Sequence, residues 1–446
     1  MSGWIIRYVE PEIKTALMSK KIPVKWSQNL TLYEVNLRQY TKSGSFREFK
    51  EHLPRLKELG VGILWFMPLQ PIGMVKRKGT LGSYYSISDY LAIDPLYGTM
   101  DEFRSLVDTI HSMGMYVILD WVANHTSWDN ELTISHPDYY THDEHGGFKP
   151  PFPEWADVIE LNYKNPKLRE YMVDCMKYWL KYTGIDGFRC DMANLVPNDF
   201  WQYARKELDT VKEVFMLAEA EQWELLDGAF DAIYNWNFFH TMNDIARERK
   251  RVWDLTSMVD REIYQFPTHA YQMMFISNHD ENSWNGSELE RLGYGLETFG
   301  ALYFTLTGIP LIYSGQEAGS YKRLSFFEKD EIEWKEDKMF PFYAKLIQLK
   351  KENEALWNGP YGGELIILET NNGGNVISYI RQKGRYKVLV LLNLTGHDQF
   401  AHLNDSRLEG DYINIFTSDQ YTIYDDYYFR LKPWGYKVLE LIVKDK

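Results

Sequence analysis

The run Ile185-Asp186-Gly187-Phe188-Arg189-Cys190-Asp191 closes a short apolar stretch with a cation and a carboxylate two residues apart. In a strand, residues two apart share a face, so Arg189 and Asp191 point the same way while Cys190 points into the apolar layer behind. A guanidinium beside a carboxylate favours the ionised form and lowers its pKa. An aspartate held in that state is a ready nucleophile. The same pair could equally be a structural salt bridge at a strand end, and only the rest of the chain separates the two readings.

Three more apolar runs end in groups fit for acid–base work. They close as Asp120-Trp121-Val122-Ala123-Asn124-His125, as Leu217-Ala218-Glu219 and as Ile276-Ser277-Asn278-His279-Asp280. If the four runs are strands of one parallel sheet, three carboxylates, two histidines and Arg189 converge on one mouth.

The elements needed for this can be read from the apolar spacing. Residues 30–36 suit a strand, and 46–59 carry Phe46, Phe49, Leu53, Leu56 and Leu59 at helical intervals before Gly60 stops the helix. Residues 61–67 are nearly all apolar and closed by Pro68, as expected of a strand buried on both faces. The unit recurs as helix 103–113 with strand 115–120, helix 168–182 with the Gly187 strand, and helix 200–208 with strand 214–218. Further strands are expected at 230–234, 271–277 and 309–314. Strand and helix alternating in this way predict the α/β class and a (β/α)8 TIM barrel, in which active sites collect at the carboxyl ends of the strands.

Two stretches break the rhythm. Charged, Pro and Gly residues replace the pattern after the third strand, which predicts an excursion too long for an ordinary loop. Alternating segments at 364–369, 376–381 and 386–394 predict antiparallel strands. The expected organisation is an N-terminal segment (1–27), a catalytic barrel (28–125 and 159–357), a short domain-B-like excursion (126–158) and a C-terminal antiparallel β-sandwich domain (358–446).

Composition narrows the partners. Lys and Arg number 49 against 63 Asp and Glu, a net charge of −14, which argues against nucleic acid or an anionic membrane and suits a neutral substrate. Tyr and Trp, at 32 and 15, outnumber the 23 Phe, so the aromatic excess carries polar handles able to stack on a sugar while bonding its hydroxyls. The two cysteines, Cys175 and Cys190, have no metal-site spacing and read as buried free thiols. Charges at Arg7, Glu10, Lys14, Lys20 and Lys21 interrupt any signal-peptide core, and no run is long enough to span a membrane. A cytoplasmic protein is expected, or an exported one whose signal is absent from this sequence.

The four landmarks, in this order on these strands, resemble the signature regions of the α-amylase family of glycoside hydrolases (family 13). The segments Gly82-Ser83-Tyr84-Tyr85-Ser86-Ile87-Ser88-Asp89-Tyr90 and Ile309-Pro310-Leu311-Ile312-Tyr313-Ser314-Gly315-Gln316-Glu317 are also similar to family segments, and the resemblance spans about residues 28–395. It implies that Asp191 attacks the anomeric carbon to form a covalent glycosyl-enzyme, while Glu219 protonates the departing oxygen and then activates water, with retention. Glu219 should then be protonated near neutral pH and Asp191 ionised by Arg189. Asp280 matches the family's third carboxylate, which holds sugar hydroxyls. His125, Arg189 and His279 match groups around the same sugar, and Tyr85 matches the platform beneath it. Asp120 is expected to brace Arg189. Trp223 and Trp284, just beyond two of the motifs, could line outer subsites.

For calcium, Asn124 matches a family ligand, and Asp129 and Asp157 could supply oxygens. Yet Asn194-Leu195 stand where many calcium-dependent relatives carry Lys-His, and Asn162 stands where many have an aspartate. No cofactor is therefore expected to be required. The resemblance implies a retaining hydrolase of α-1,4 bonds in starch, glycogen or maltooligosaccharides. A glucanotransferase or an α-1,6-acting glucosidase of the same family would use the same residues, and a non-catalytic carbohydrate-binding protein would be expected to lack a carboxylate. Linkage preference, endo or exo action and oligomeric state are not legible in the sequence.

Overall fold

A computed structural model describes residues 21–443. Eight short parallel strands close into a barrel: β1 (Leu32–Val35), β2 (Ile63–Phe66), β3 (Tyr116–Trp121), β6 (Gly187–Cys190), β7 (Phe215–Ala218), β8 (Ala232–Tyr234), β9 (Tyr271–Met274) and β10 (Ile309–Tyr313). The two strands omitted from that count, β4 (His125–Ser127) and β5 (Val158–Glu160), pair antiparallel at the base of the excursion after β3. The strands at 30–36, 61–67 and their six successors all form, because each run is mostly apolar and can be buried between barrel interior and helical layer.

The helix expected over 46–59 is divided, with one segment at Phe46–Lys50 and a second at Leu53–Leu59. Pro54 at the start of the second segment has no N–H to donate, so the ladder is interrupted there and restarts. Gly60 ends the second segment in the left-handed conformation at φ 92°, with its N–H on the Leu56 carbonyl. The long helix Pro166–Thr183 ends the same way at Gly184 and delivers the chain to β6.

Gly187 opens β6 where only glycine fits. Its φ is 155°, and a Cβ built there would lie 1.9 Å from the Phe215 carbonyl oxygen on the neighbouring strand. Gly187→Ala must therefore push apart the strands that carry Arg189 and Glu219. The expected cost is on the order of 3 kcal/mol, read as a lower melting midpoint. An unchanged midpoint would show that the two strands are not held at this spacing.

The chain after the barrel forms a six-stranded antiparallel sheet from β11 (Glu364–Ile367), β12 (Val376–Lys383), β13 (Tyr386–Asn393), β15 (Gly410–Asn414), β16 (Gln420–Ile423) and β18 (Tyr436–Leu441). Facing it is the pair β14 (Gln399–Asn404) and β17 (Asp426–Leu431), and Leu389, Leu391, Ala401, Leu403, Phe429 and Leu439 pack between the two as a second core. Buried Arg381 on β12 donates to the Thr305 and Leu306 carbonyls at 3.1 and 2.6 Å, tying these sheets to the barrel. The expected N-terminal segment (1–27) lies outside the described residues up to residue 20; Lys25–Ser27 form one helical turn.

Candidate active site

The closed strand order sets β3, β6 and β7 side by side, and on them Asp120 is the cross-strand neighbour of Arg189. The ladder runs one step beyond each strand end. Asp191 N–H donates to the Trp121 carbonyl at 2.9 Å, and Glu219 N–H donates to the Cys190 carbonyl at 3.0 Å. Both carboxyl side chains thus leave the backbone from fixed points.

Arg189 is fully buried at the centre of the carboxylates. Its Nη1 lies 2.9 Å from both Asp120 Oδ1 and Asp191 Oδ1, and its Nε donates to the Tyr234 hydroxyl at 3.1 Å. Nη2 is 2.9 Å from Glu219 Oε1 but makes no aligned hydrogen bond, so this contact is held by charge rather than direction. Asp120 does brace Arg189, as expected.

One cation against three buried carboxyls leaves the cluster short of positive charge. Burial first, and then the Glu219 charge, push Asp191 well above the ordinary carboxylate range, outweighing the pull of Arg189. The expectation that Arg189 simply lowers the Asp191 pKa is therefore corrected. Burial likewise raises Asp120 to about 6 against Arg189 and His279. The cluster accordingly keeps a proton at a pH where separate carboxyls would have lost theirs.

Met192 follows Asp191 in the left-handed conformation at φ 41°, a strained position for a side chain of its size. This turn aims its N–H at Glu219 Oε2, 2.8 Å away, and so orients that carboxyl from the neighbouring strand.

A second buried chain of polar contacts starts on β1. Glu34, inside an otherwise apolar strand, has Oε1 2.5 Å from His279 Nδ1. On the other side of the ring, His279 Nε2 is 2.7 Å from the Tyr85 hydroxyl and 3.1 Å from Asp280 Oδ2. Burial alone would lower the His279 pKa, but Asp280 and Glu34 outweigh it and hold the imidazole well above its usual value. As an imidazolium it donates from both nitrogens. Tyr85 then donates onward to Asp120 Oδ2 at 3.1 Å, joining the two networks. Burial at the cavity base raises Asp280, yet the His279 charge prevails and keeps it below the usual carboxylate range.

These groups surround a cavity of about 390 Å3 lined by Asp191, Glu219 and Asp280 together with Tyr85, His125 and Trp284. Burial pushes His125 down to about 4 despite the nearby Asp157, so its ring is neutral at physiological pH and can exchange hydrogen bonds with hydroxyls. Trp284 is 52% exposed on a single π-helical turn, Glu281–Asn285, directly after Asp280. Its ring rests on Phe326 and Phe327, with centroids at 5.2 and 5.7 Å, and Phe326 lies nearly parallel to Tyr85. Tyr85, Phe326 and Trp284 make one aromatic wall.

Three of the residues expected around the sugar are not in the cavity lining itself. Arg189 and His279 are buried one layer behind it, each in contact with carboxyls that do line it: Asp191 and Glu219 for Arg189, Asp280 for His279. Trp223 is also absent from the lining. It sits on a helical turn, Trp223–Leu226, and packs edge-on against Phe266, so the loop after β7 carries it away from the mouth. Conversely, Glu34, Met192, Phe326 and Phe327 were missed. Glu34 was visible as a lone charge within an apolar strand, and Phe326-Phe327 as an aromatic pair inside a polar loop.

Two of the expected calcium ligands, Asp129 and Asp157, already hold partners through a carboxyl oxygen, and Asn124 holds one through its amide nitrogen. Asn124 Nδ2 approaches His125 Nδ1 at 3.3 Å, Asp129 Oδ2 accepts from the Met74 N–H at 2.7 Å, and Asp157 Oδ1 pairs with Lys78 at 2.8 Å. Among the described residues, no group of three or more His, Cys, Asp or Glu side chains could hold a metal ion.

Paired carboxyls on one arginine at the carboxyl end of a parallel barrel define a barrel enzyme with the layout of a glycoside hydrolase. The sequence model of the alpha amylase catalytic domain matches residues 36–157 and 152–337. The chain belongs to the α-amylase family.

Two solved structures share its form. A noncanonic maltogenic alpha-amylase, AmyB from Thermotoga neapolitana, is 31% identical with a TM-score of 0.86, covering 93% of this chain and 99% of that one. An alpha-amylase from Lactobacillus plantarum is 30% identical with a TM-score of 0.84, covering 94% of this chain and all of that one (100%). Among curated relatives, a maltogenic alpha-amylase of Bacillus acidopullulyticus is 26% identical over 421 residues, 87% of this chain and 69% of the relative.

Proposed function

We propose that this chain is a retaining α-glucan hydrolase that cleaves α-1,4 bonds in maltooligosaccharides and related glucans. The observation that carries the reading is the shared arginine. Asp191 and Glu219 both touch the Arg189 guanidinium while facing the same cavity, which suits the close carboxyl pair of a double displacement. Asp191, as the carboxylate, attacks the anomeric carbon as the glycosidic bond breaks, and Glu219 gives a proton to the leaving oxygen. Glu219 then takes a proton from water as that water opens the covalent ester, and the proton returns to its starting point. Asp280 and neutral His125 hold sugar hydroxyls, and Tyr85 supports the ring.

An acceptor sugar competes with water for the same intermediate, so transfer is the second reading. The relatives named above are amylases, which favours water. The net charge of −14 favours a neutral glucan over a nucleic acid. Among the described residues no helix is long and apolar enough to cross a membrane, and the unpaired buried Cys175 and Cys190 fit a reducing cytoplasm.

The test is chromatography of maltoheptaose treated with wild type and Glu219→Gln. Shorter products from wild type alone are expected; products longer than the substrate would move the reading to a transferase. Because Asp129 and Asp157 are already bonded, a chelator is expected to leave both turnover and melting midpoint unchanged. A loss that added calcium restores would show that a metal site forms here after all.

A further inference from the structure

The segment 73–82 after β2 lies like a strap between two other loops. Toward the excursion, the Met74 and Val75 N–H groups donate to Asp129 Oδ2 at 2.7 and 3.3 Å, and the Lys76 ammonium sits 3.2 Å above the Trp128 ring. Lys78 Nζ pairs with Asp157 Oδ1 at 2.8 Å and donates to the Glu154 carbonyl at 2.9 Å. Toward the loop after β10, the Thr80 N–H donates to Glu328 Oε1 at 3.0 Å, its hydroxyl also bonds Glu328, and the Leu81 N–H donates to the Phe327 carbonyl at 3.0 Å. Arg77 stiffens the strap from within by donating to the Gly73, Ile72 and Thr80 carbonyls.

Gly73 and Gly79 show how tightly the strap is seated. A Cβ on Gly73 would lie 2.2 Å from the Ser127 Cβ, and one on Gly79 would lie 2.6 Å from the Phe327 Cβ. Lys78 from the strap and Ser83 just beyond it, Trp155 and Asp157 from the excursion, and Phe326 and Phe327 from the far loop all line the catalytic cavity. Three separate loops therefore form one continuous rim.

The position of this rim follows from the strand order. In the closed barrel β1 stands opposite β7, with four steps either way round. The strap follows β2 and the Phe326 loop follows β10, the two neighbours of β1, and Glu219 follows β7. The general acid must meet the leaving oxygen, so the departing part of the glucan runs out over the β7 side. A sugar retained on Asp191 would then lie toward the rim.

We propose that residues 73–82 close the glycone end of the cleft, so that the enzyme takes the non-reducing ends of α-glucans and releases short pieces from them. The proposal rests on the hydrolase reading above. A chain end fits against the rim, whereas the interior of a long chain must pass through it. Lys78 and Thr80 are the residues that set this preference, since they tie the strap to its two flanks.

The experiment uses maltoheptaose labelled at its reducing end, with and without a 4,6-ethylidene bridge on the non-reducing terminal glucose. With the free end, the longest labelled products are expected to appear first. The blocked substrate is expected to react at least about tenfold more slowly, the scale on which a rigid pocket rejects a misfitting group. In the double variant Lys78→Ala, Thr80→Ala the gap between the two substrates should narrow. Equal rates in wild type, with short labelled products first, would overturn the closed end while leaving the hydrolase intact. A gap that persists unchanged in a double variant with normal melting would overturn the strap as its cause. If wild type consumes neither substrate, the hydrolase reading itself fails, and the strap proposal with it.

Discussion

Asp191→Asn is expected to lower kcat/KM for maltoheptaose by about 10^4-fold or more, close to 5.5 kcal/mol of transition-state stabilisation at 1.36 kcal/mol per tenfold. The amide keeps the shape of the side chain and loses the nucleophile. Stability should move the other way. Burial and the Glu219 charge both disfavour ionised Asp191, so a neutral residue there relieves a repulsion and the melting midpoint is expected to hold or rise. Azide separates the two carboxyl roles. Added to Asp191→Gly with an activated α-glucoside it should yield the β-glucosyl azide, and added to Glu219→Ala the α-glucosyl azide, because each replaces a different step of the double displacement. Asp191→Asn activity within tenfold of wild type would remove Asp191 from the nucleophile's role.

Arg189→Met is expected to cost roughly 3–5 kcal/mol, the range for removing one partner from a buried ion pair. Arg189 is fully buried and reaches Asp120, Asp191 and Glu219 within 2.9 Å, so its loss leaves three carboxyls facing one another. For a chain of this size that corresponds to a fall in melting midpoint of about 3–5 °C. Arg189→Lys separates charge from geometry. It keeps a cation, but a single ammonium cannot span all three carboxyls, so part of the stability should return while activity stays low. Full recovery of activity in Arg189→Lys would show that only the charge matters and that the fork holding the pair in register does not.

Alternation of apolar runs and helical spacing was enough for the barrel, since strand and helix periodicity are local properties of the chain. The division at Pro54 was equally local and could have been read from the missing N–H. The three candidate carboxyls were legible for a related reason. Asp191, Glu219 and Asp280 each stand just beyond an apolar run, and a parallel barrel brings all such ends to one face.

What only the tertiary structure decided is the side from which each group acts. Arg189 and His279 are buried and held by carboxyls from their own strand ends, Asp191 and Asp280, and from neighbouring strands, Asp120, Glu219 and Glu34. The rise at Asp191 comes first from burial and then from Glu219, 28 residues later in the chain but only one strand away. Trp223 and Trp284 were indistinguishable as aromatics after a motif. One packs on Phe266 and the other joins the Phe326 wall, a choice made by loop docking. The strap shows the same limit, since Thr80 finds Glu328 across 248 residues of sequence. The sequence by itself determined which residues stand at the strand ends, through spacing along one short segment. The fold decided which of them meet and which face solvent, because those contacts join segments whose separation in sequence carries no information about their distance in space.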